Sequence, residues 1–280
     1  MKKGGISGAR LADNVMTYVL LAVVSVIFLF PCVWLIAASF SRSGDLHSFS
    51  GFFPREFSAR TFVELFTDDV NGLYPYKRWF LNTLYVASCT CVIGTLLVIL
   101  TGYVMSRFRF KGRDALFFLV LVLMLLPFQV TMAPSVMTLR ALGILNTPWA
   151  VILPMWFSPF YLFLVRQFML GLPNEILEAG QMDGAGTFRC LWQVVLPVCR
   201  PIIGASVALS FADCWNLVEQ PLIYLTDSSQ QPLSVMFNQI NTDSADVAFA
   251  GAALYILPML LVYLYFQDDI LLGVQLSELK

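Results

Sequence analysis

Charged residues are scarce in this sequence. Only 12% of its 280 residues are Asp, Glu, Lys or Arg, whereas 58% are hydrophobic and the mean hydropathy is +0.75. That charged fraction is roughly half of what soluble domains contain, so the chain lacks the polar surface that an ordinary soluble globular protein needs on all sides. The formal net charge of −1, with no basic face, also argues against a nucleic-acid-binding protein.

Residue types that perform catalysis or bind metals are also few. The single histidine, His47, lies in a polar stretch, and the six cysteines form no Cys-x-x-Cys pair, so we interpret them as small core residues. The motifs G-x-x-x-x-G-K-[ST], H-E-x-x-H and G-x-S-x-G are absent. We therefore expect no catalytic residue, no metal site and no nucleotide cofactor in this chain, and a membrane enzyme has no constellation of residues to support it.

Long apolar runs dominate the sequence instead. Six of them approach the roughly 20 residues that a helix needs to cross a bilayer. They cover approximately residues 15–40, 79–105, 115–133, 149–165, 201–218 and 247–266. The first run has a cleaved signal peptide as its alternative, but it is longer than a signal core and stays apolar where a cleavage site would lie. The sequence therefore predicts an all-α, polytopic membrane protein with six transmembrane helices.

The distribution of Lys and Arg predicts the orientation of these spans. With a cytoplasmic N-terminus, eleven of the 17 basic residues lie inside and six lie outside. The short basic segment 107–113, placed directly between two spans, decides the assignment. We predict a cytoplasmic N-terminal segment at 1–14, a transmembrane domain at 15–270 and a cytoplasmic tail at 271–280.

The segment 172–197 then lies in the cytoplasm. Pro173 and Asn174 suit a helix start, and Glu175 and Glu178 are favourable near its positive end. The glycines near 185 would end this helix, and a second helical piece at 188–195 is predicted to stop at Leu196-Pro197. The segment is either an ordinary interhelical loop or a helix–turn–helix that docks another protein; its length and its pattern favour docking.

The same segment resembles the EAA loop of ABC importer permeases. Residues 178–184 read Glu-Ala-Gly, three residues and Gly, and nine residues later 194–197 read Val-x-Leu-Pro. The family pattern has alanine at position 180 and isoleucine at position 194, and its spacing is intact here. The resemblance implies a coupling helix that sits in a cleft of an ATP-hydrolysing subunit. Five residues would lie at that joint: Glu178, Ala179, Gly180, Asp183 and Gly184.

Further stretches resemble the smaller permease of the maltose type, across about residues 15–270. These are 81–84, 102–110, 126–127, 215–216 and 221–223. The resemblance implies the type I ABC importer permease fold in a prokaryotic plasma membrane, working by alternating access. It also implies a dimer of ATP-binding subunits that binds ATP and Mg, a second permease, an extracytoplasmic solute-binding protein and a carbohydrate substrate. The tail from residue 267 departs from the maltose-type pattern, which leaves tail contacts and a narrow substrate assignment open.

Polar residues around the fifth apolar run are candidates for the substrate pathway, because polar groups at membrane depth are costly. Asp213, Asn216 and Gln220 are spaced to share one helical face. Glu219 is adjacent to Gln220, and Trp215 could supply an aromatic surface for a sugar. The alternatives are that these residues satisfy one another or form a helix end at the outer interface.

Two other functions remain open at the level of the sequence. The permease could move another small polar solute, such as a glycerol phosphate. A secondary transporter driven by an ion gradient is the alternative class, but it would be expected to show repeated interrupted helices with buried acidic groups.

Overall fold

The computed structural model describes residues 8–41, 57–67, 76–237 and 245–278, which are almost entirely helical. The described ranges contain thirteen α-helices, a 3₁₀ turn at Ser228–Gln230 and a π-turn at Leu191–Val195. The helices are α1 (Gly8–Ser39), α2 (Arg60–Thr67), α3 (Tyr76–Arg107), α4 (Arg113–Met124), α5 (Phe128–Ala141), α6 (Pro148–Met155), α7 (Pro159–Leu170), α8 (Asn174–Met182), α9 (Thr187–Cys190), α10 (Leu196–Trp215), α11 (Glu219–Tyr224), α12 (Leu233–Met236) and α13 (Ala245–Glu278). His47 lies outside the described residues.

Five helices in the described part of the chain are long and apolar enough to cross a membrane. They are Asn14–Ser39, Tyr76–Arg107, Pro148–Leu170, Thr187–Trp215 and Ala248–Gly273. The pair α4 and α5 would make a sixth span, but its two helices meet at an angle of 105°. The predicted all-α membrane architecture is confirmed, with five spans or six if the bent pair counts as one.

The prediction of a single helix over 115–133 was wrong. The chain leaves the helix after Met124, and Pro127 adopts an extended backbone before α5 begins at Phe128. Proline has no N–H to donate and disfavours a helical conformation in the residue before it. The Leu126-Pro127 pair therefore marks a bend between two shorter helices.

The predicted stop at Leu196-Pro197 was also wrong. Helix α9, the π-turn and α10 run on as one helical span from Thr187 to Trp215. In the π-turn the Leu196 N–H donates to the Leu191 carbonyl, five residues back. A π-turn widens the helix locally, and Pro197 follows it directly, so the missing proline N–H falls where the regular i→i−4 bonding is already interrupted.

The chain divides into two units, and the first comprises Met1–Tyr74 with Ile240–Tyr255. Within it, Trp34 of α1 packs edge-on against Phe249 of α13, with ring centroids 5.3 Å apart. The Thr61 hydroxyl donates to the Ser41 carbonyl at 3.2 Å. Residues 14–32 of α1 are exposed along all faces in this chain, as expected for an apolar helix that contacts lipid or other membrane helices.

The second unit comprises Pro75–Gln239 with Ile256–Lys280, and α3, α7 and α10 form its core. Two glycines let α3 approach its neighbours closely. A Cβ at Gly102 would lie 3.2 Å from Val165 Cγ1, and one at Gly94 would lie 3.3 Å from the Trp156 carbonyl oxygen. Small residues at such crossings are typical of packed membrane helices.

The crossing of α10 and α13 gives a first testable prediction. A Cβ at Gly204 would lie 2.5 Å from Asp269 Oδ2 and 2.8 Å from Asp269 Cβ, whereas one at Gly273 would lie 3.4 Å from Ala205 Cβ. We expect Gly204→Ala to destabilise the protein by about 1–3 kcal/mol, as overpacking does, and Gly273→Ala to be tolerated. Thermal unfolding of the purified protein in detergent measures both. Equal melting temperatures for the two variants would contradict this packing.

Candidate functional site

Helix α8 and the turn after it form the first candidate site. The Ala185 N–H donates to the Gly180 carbonyl at 3.0 Å and the Gly184 N–H donates to the Gln181 carbonyl at 2.9 Å. Gly184 has a φ of +80°. These two bonds and the left-handed glycine make a Schellman C-cap, so the Asp183-Gly184-Ala185 triplet is the residue pattern that ends α8.

The structure separates the five predicted coupling residues into two groups. Gly180 faces inward, where a Cβ would lie 3.4 Å from both Cys190 Sγ and Val194 Cγ2. Because only a small residue allows this approach, Gly180 holds α8 against the span that follows. The other four are exposed and together form one surface: Glu178, Ala179, Asp183 and Gly184.

Sequence reasoning missed the apolar residues beside this surface. Met182, at the end of α8, is 88% exposed, and the rings of Phe188 and Trp192 are exposed with their centroids 5.9 Å apart. Exposed apolar groups with a polar rim are typical of protein-docking surfaces. The available signals were a methionine at the end of a short helix that contains two glutamates, and two aromatic residues four positions apart in the next helical piece.

A polar pocket forms the second candidate site, at the opposite end of α3 and α10 from α8. It is an open cavity of ≈ 530 Å³. Four of the predicted pathway residues line it, together with apolar neighbours: Asp213, Asn216, Glu219, Gln220, Phe128, Ala212, Leu217 and Val218. The structure therefore brings these four side chains to one cavity.

The sequence spacing predicted that Asp213, Asn216 and Gln220 share one helical face, but in the structure they do not. Helix α10 ends at Trp215, and its C-cap residue Asn216 leaves the helix before α11 begins at Glu219. The 3.6-residue period stops there, so the spacing from Asp213 to Gln220 no longer describes a face. The cavity forms because the chain turns at 216–218.

Trp215 does not line this pocket. Its side chain is 1% exposed, stacks on Phe211 at 5.3 Å and meets Phe80 edge-on at 5.8 Å. The ring is therefore part of the packing between α3 and α10. Phe128, the first residue of α5, is the aromatic side chain that the pocket contains.

The electrostatic character of the pocket is acidic. Asp213 and Glu219 supply two carboxylates, and the described lining includes no Lys, Arg or His. The Tyr161 hydroxyl of α7 donates to Asp213 Oδ2 at 2.5 Å, which fixes one side of that carboxylate. Gln220 Oε1 is buried and has no hydrogen-bond partner in the described part of the chain, so it is an acceptor that a solute hydroxyl would satisfy.

A tightly bonded turn lies beyond the pocket. Asn146, with a φ of 61°, accepts hydrogen bonds from the backbone of Thr226 and Asp227 at 2.9 and 3.0 Å. Asp227 in turn accepts one from the Ser229 N–H at 2.9 Å. The hydrogen bonds from Ser229 lower the pKa of the exposed Asp227 carboxyl, so Asp227 stays ionised and the turn stays capped at neutral pH.

Bilayer-length helices, an exposed capped helix at one end and a polar pocket at the other define a membrane transport subunit. The family of binding-protein-dependent transport system inner membrane components matches residues 94–270. The arabinooligosaccharides transport system permease protein AraQ of Halalkalibacterium halodurans is 30% identical over 266 residues, covering 92% of this chain and 94% of AraQ. The diacetylchitobiose uptake system permease protein NgcG of Streptomyces coelicolor is 29% identical and covers 91% of this chain and 85% of NgcG.

A bacterial ABC transporter that imports the acidic polysaccharide alginate has the same fold. Its matching chain superposes with a TM-score of 0.81 at 20% identity, covering 95% of this chain and 99% of that one. This chain belongs to the family of binding-protein-dependent transport system inner membrane components. It is thus a multi-pass permease subunit of an importer and not an enzyme.

Proposed function

We propose that this chain is one of two permease subunits of an ATP-driven importer that moves an uncharged carbohydrate by alternating access. The main support is the α8 surface, whose Schellman cap leaves Glu178, Ala179, Asp183 and Gly184 exposed beside Met182. An exposed apolar and acidic surface on a membrane subunit suits docking in a cleft of another protein. ATP-hydrolysing subunits are the partner that the EAA-type spacing indicates.

The partner ATPases would bind ATP and Mg, since this chain has no phosphate-binding loop in its sequence. Closure of the ATPase dimer on ATP would push α8, and the spans would reopen toward a solute-binding protein on the other side. A second permease chain would complete the pathway, because the polar pocket of this chain is open.

The proposed orientation places α8 and both termini in the cytoplasm. Arg107, at the start of the basic segment 107–113, bonds to Asn174 at the start of α8 at 2.8 Å. The basic segment and α8 therefore lie at the same end of α3. The excess of Lys and Arg at that end supports a cytoplasmic position, where ATP is available.

The charge of the pocket supports an uncharged solute. Two carboxylates within one cavity repel an anion, and no basic side chain in the described lining offsets them. Hydroxyl groups, by contrast, can donate to Asp213 and to the Gln220 oxygen. Arabino-oligosaccharides and diacetylchitobiose, named for AraQ and NgcG, are uncharged, whereas a glycerol phosphate is not.

Uptake assays test the substrate class and the energy source together. We expect cells with the complete transporter to take up labelled neutral oligosaccharides, such as arabino-oligosaccharides or diacetylchitobiose, but not glycerol 3-phosphate or alginate oligosaccharides. Uptake should cease without the ATPase and persist when an uncoupler collapses the ion gradient while ATP stays high.

The outcomes separate the alternatives. Uptake of glycerol 3-phosphate in preference to every neutral sugar would overturn the substrate class and leave the ATP-driven mechanism standing. Uptake that collapses with the uncoupler, or that persists without the ATPase, would identify a secondary transporter instead.

A further inference from the structure

Arg107, the last residue of α3, joins three helices at the end of the molecule that holds α8. Its Nη2 donates to the carbonyls of Met169 at 2.5 Å and Leu172 at 3.0 Å, where α7 ends. Its Nη1 donates to Asn174 Oδ1, on the first residue of α8, at 2.8 Å. The start of α8 is therefore tied to α3 directly as well as through the chain from α7.

The chemistry of this contact makes it a rigid one. The last carbonyls of a helix have no partner within the helix, and a cation beside them is favoured by the helix dipole. The planar guanidinium fork holds several acceptors in fixed directions, which a lysine ammonium does not. Arg107 therefore holds the end of α7 and the start of α8 in one geometry.

At its opposite end, α3 is hydrogen-bonded to the segment 228–233, which borders the polar pocket. Trp79 Nε1 donates to the Ser228 carbonyl at 3.0 Å, and Asn82 Nδ2 donates to the carbonyls of Ser229 and Gln231 at 2.9 and 3.1 Å. Thr83 accepts from the Leu233 N–H at 2.8 Å. These three side chains lie on one face of α3, because they are spaced three and four residues apart.

A further hydrogen bond connects the segment that α3 binds to the turn that lines the pocket. The Ser234 hydroxyl, one residue beyond Leu233, donates to the carbonyl of Leu217 at 2.6 Å. Leu217 lies in the turn that lines the pocket. The contacts from α3 thus continue to the residues that would meet a solute.

Helix α3 itself is suited to transmit a displacement along its length. It runs without interruption over 32 residues and contains no proline, whereas α1 and α13 each contain one and α10 contains two. Its close packing at Gly102 against Val165 keeps it in register with α7. A helix without proline or a π-turn lacks two of the usual causes of a kink.

We propose that α3 transmits the displacement of α8 to the polar pocket, with Arg107 as the positioning residue at one end and Asn82 and Thr83 at the other. This inference rests on the proposed docking of an ATPase on α8. It assigns a role to the Leu81–Leu84 and Gly102–Phe110 stretches, which the docking surface and the pocket leave unexplained.

The first test measures solute moved per ATP hydrolysed by the purified complex in proteoliposomes, with the neutral oligosaccharide found by the uptake panel. We expect Arg107→Ala to lower this ratio about tenfold, a usual size for coupling between sites, while the ATPase still co-purifies. Arg107→Lys should recover only part of the loss, and Arg109→Ala is the matched control because it removes the same charge from the same exposed segment. Equal ratios for Arg107→Ala and Arg109→Ala would overturn the proposal.

Asn174→Ala keeps the test decisive if Arg107→Ala does not fold, because it removes only one of the three bonds. It should lower the ratio in the same direction, and an unchanged ratio would again count against the proposal. If the wild-type complex contains no ATPase, the proposed function fails instead, so the two failures are distinguishable.

A double-mutant cycle tests transmission along α3. Asn82 and Arg107 are separated by about 37 Å of helix, a distance at which the effects of independent substitutions normally add. If both residues serve one path, Asn82→Ala with Arg107→Ala should lower the ratio no further than the more severe single change. A double variant whose loss equals the product of the two single losses would contradict a shared path.

Discussion

Gly184→Trp is expected to abolish ATP-driven uptake while the protein still inserts and folds. Gly184 has a φ of +80°, and nothing in the described part of the chain lies within 4 Å of where its Cβ would be. The new side chain would therefore project outward from the α8 surface, into the space that the ATPase would occupy. The left-handed backbone adds a strain of about 1–2 kcal/mol for a residue with a side chain. Uptake of the neutral oligosaccharide in cells measures the effect.

Gly186 provides the matched control for the backbone part of this prediction. It also has open space around its Cβ position, but its φ is −68°, which any residue adopts. We expect Gly184→Ala to lower uptake several-fold and Gly186→Ala to leave it unchanged. Wild-type uptake by Gly184→Trp, or identical uptake by the two alanine variants, would mean that this turn does not couple the chain to ATP hydrolysis.

Replacement of Asp213 by leucine should lower uptake about tenfold or more at limiting solute. The substitution removes an acceptor from the pocket and leaves the Tyr161 hydroxyl, now 2.5 Å from Asp213 Oδ2, without its partner. A solute hydroxyl that enters the pocket and finds no acceptor costs about 1–3 kcal/mol, which corresponds to roughly 5- to 150-fold in a binding constant. Asp213→Asn keeps an acceptor oxygen and should retain much of the uptake.

The concentration dependence of uptake distinguishes recognition from folding. Asp213→Leu should raise the solute concentration needed for half-maximal uptake, and the ATPase should still co-purify. Asp227→Asn, which keeps the acceptor for the Ser229 N–H on the exposed turn beyond the pocket, should change neither quantity. Unchanged uptake by Asp213→Leu would remove the pocket from the substrate pathway.

The transmembrane architecture could be predicted because it follows from local composition. Each apolar run appears as a helix or a helix pair, since a helix satisfies the hydrogen bonds of its own backbone where lipid offers no partner. The two errors in the predicted helix boundaries both lie at prolines. Pro127 bends the chain and Pro197 does not, although a proline looks the same in both stretches of sequence. A π-turn precedes Pro197, whereas the chain is extended at Pro127.

The candidate sites were predictable to the extent that they depend on spacing along the chain. The turn at 183–185 has the residues of a helix cap, and the cap is present in the structure. Asp213 and Gln220 meet in one pocket, although through a turn and not a helical face. Arg107 and Asn82 could not be found in this way, because their partners lie more than 60 residues away in the sequence and such contacts leave no period in the sequence.

The most direct test of the central claim is a pull-down of the tagged chain from its native membrane in mild detergent, with mass spectrometry of the proteins that co-purify. Wild type and Gly186→Ala should both retain an ATPase with a phosphate-binding loop, together with a second permease. Gly184→Trp should retain the second permease and lose the ATPase. A chain that purifies without any such ATPase, or an ATPase retained equally by Gly184→Trp, would contradict the account.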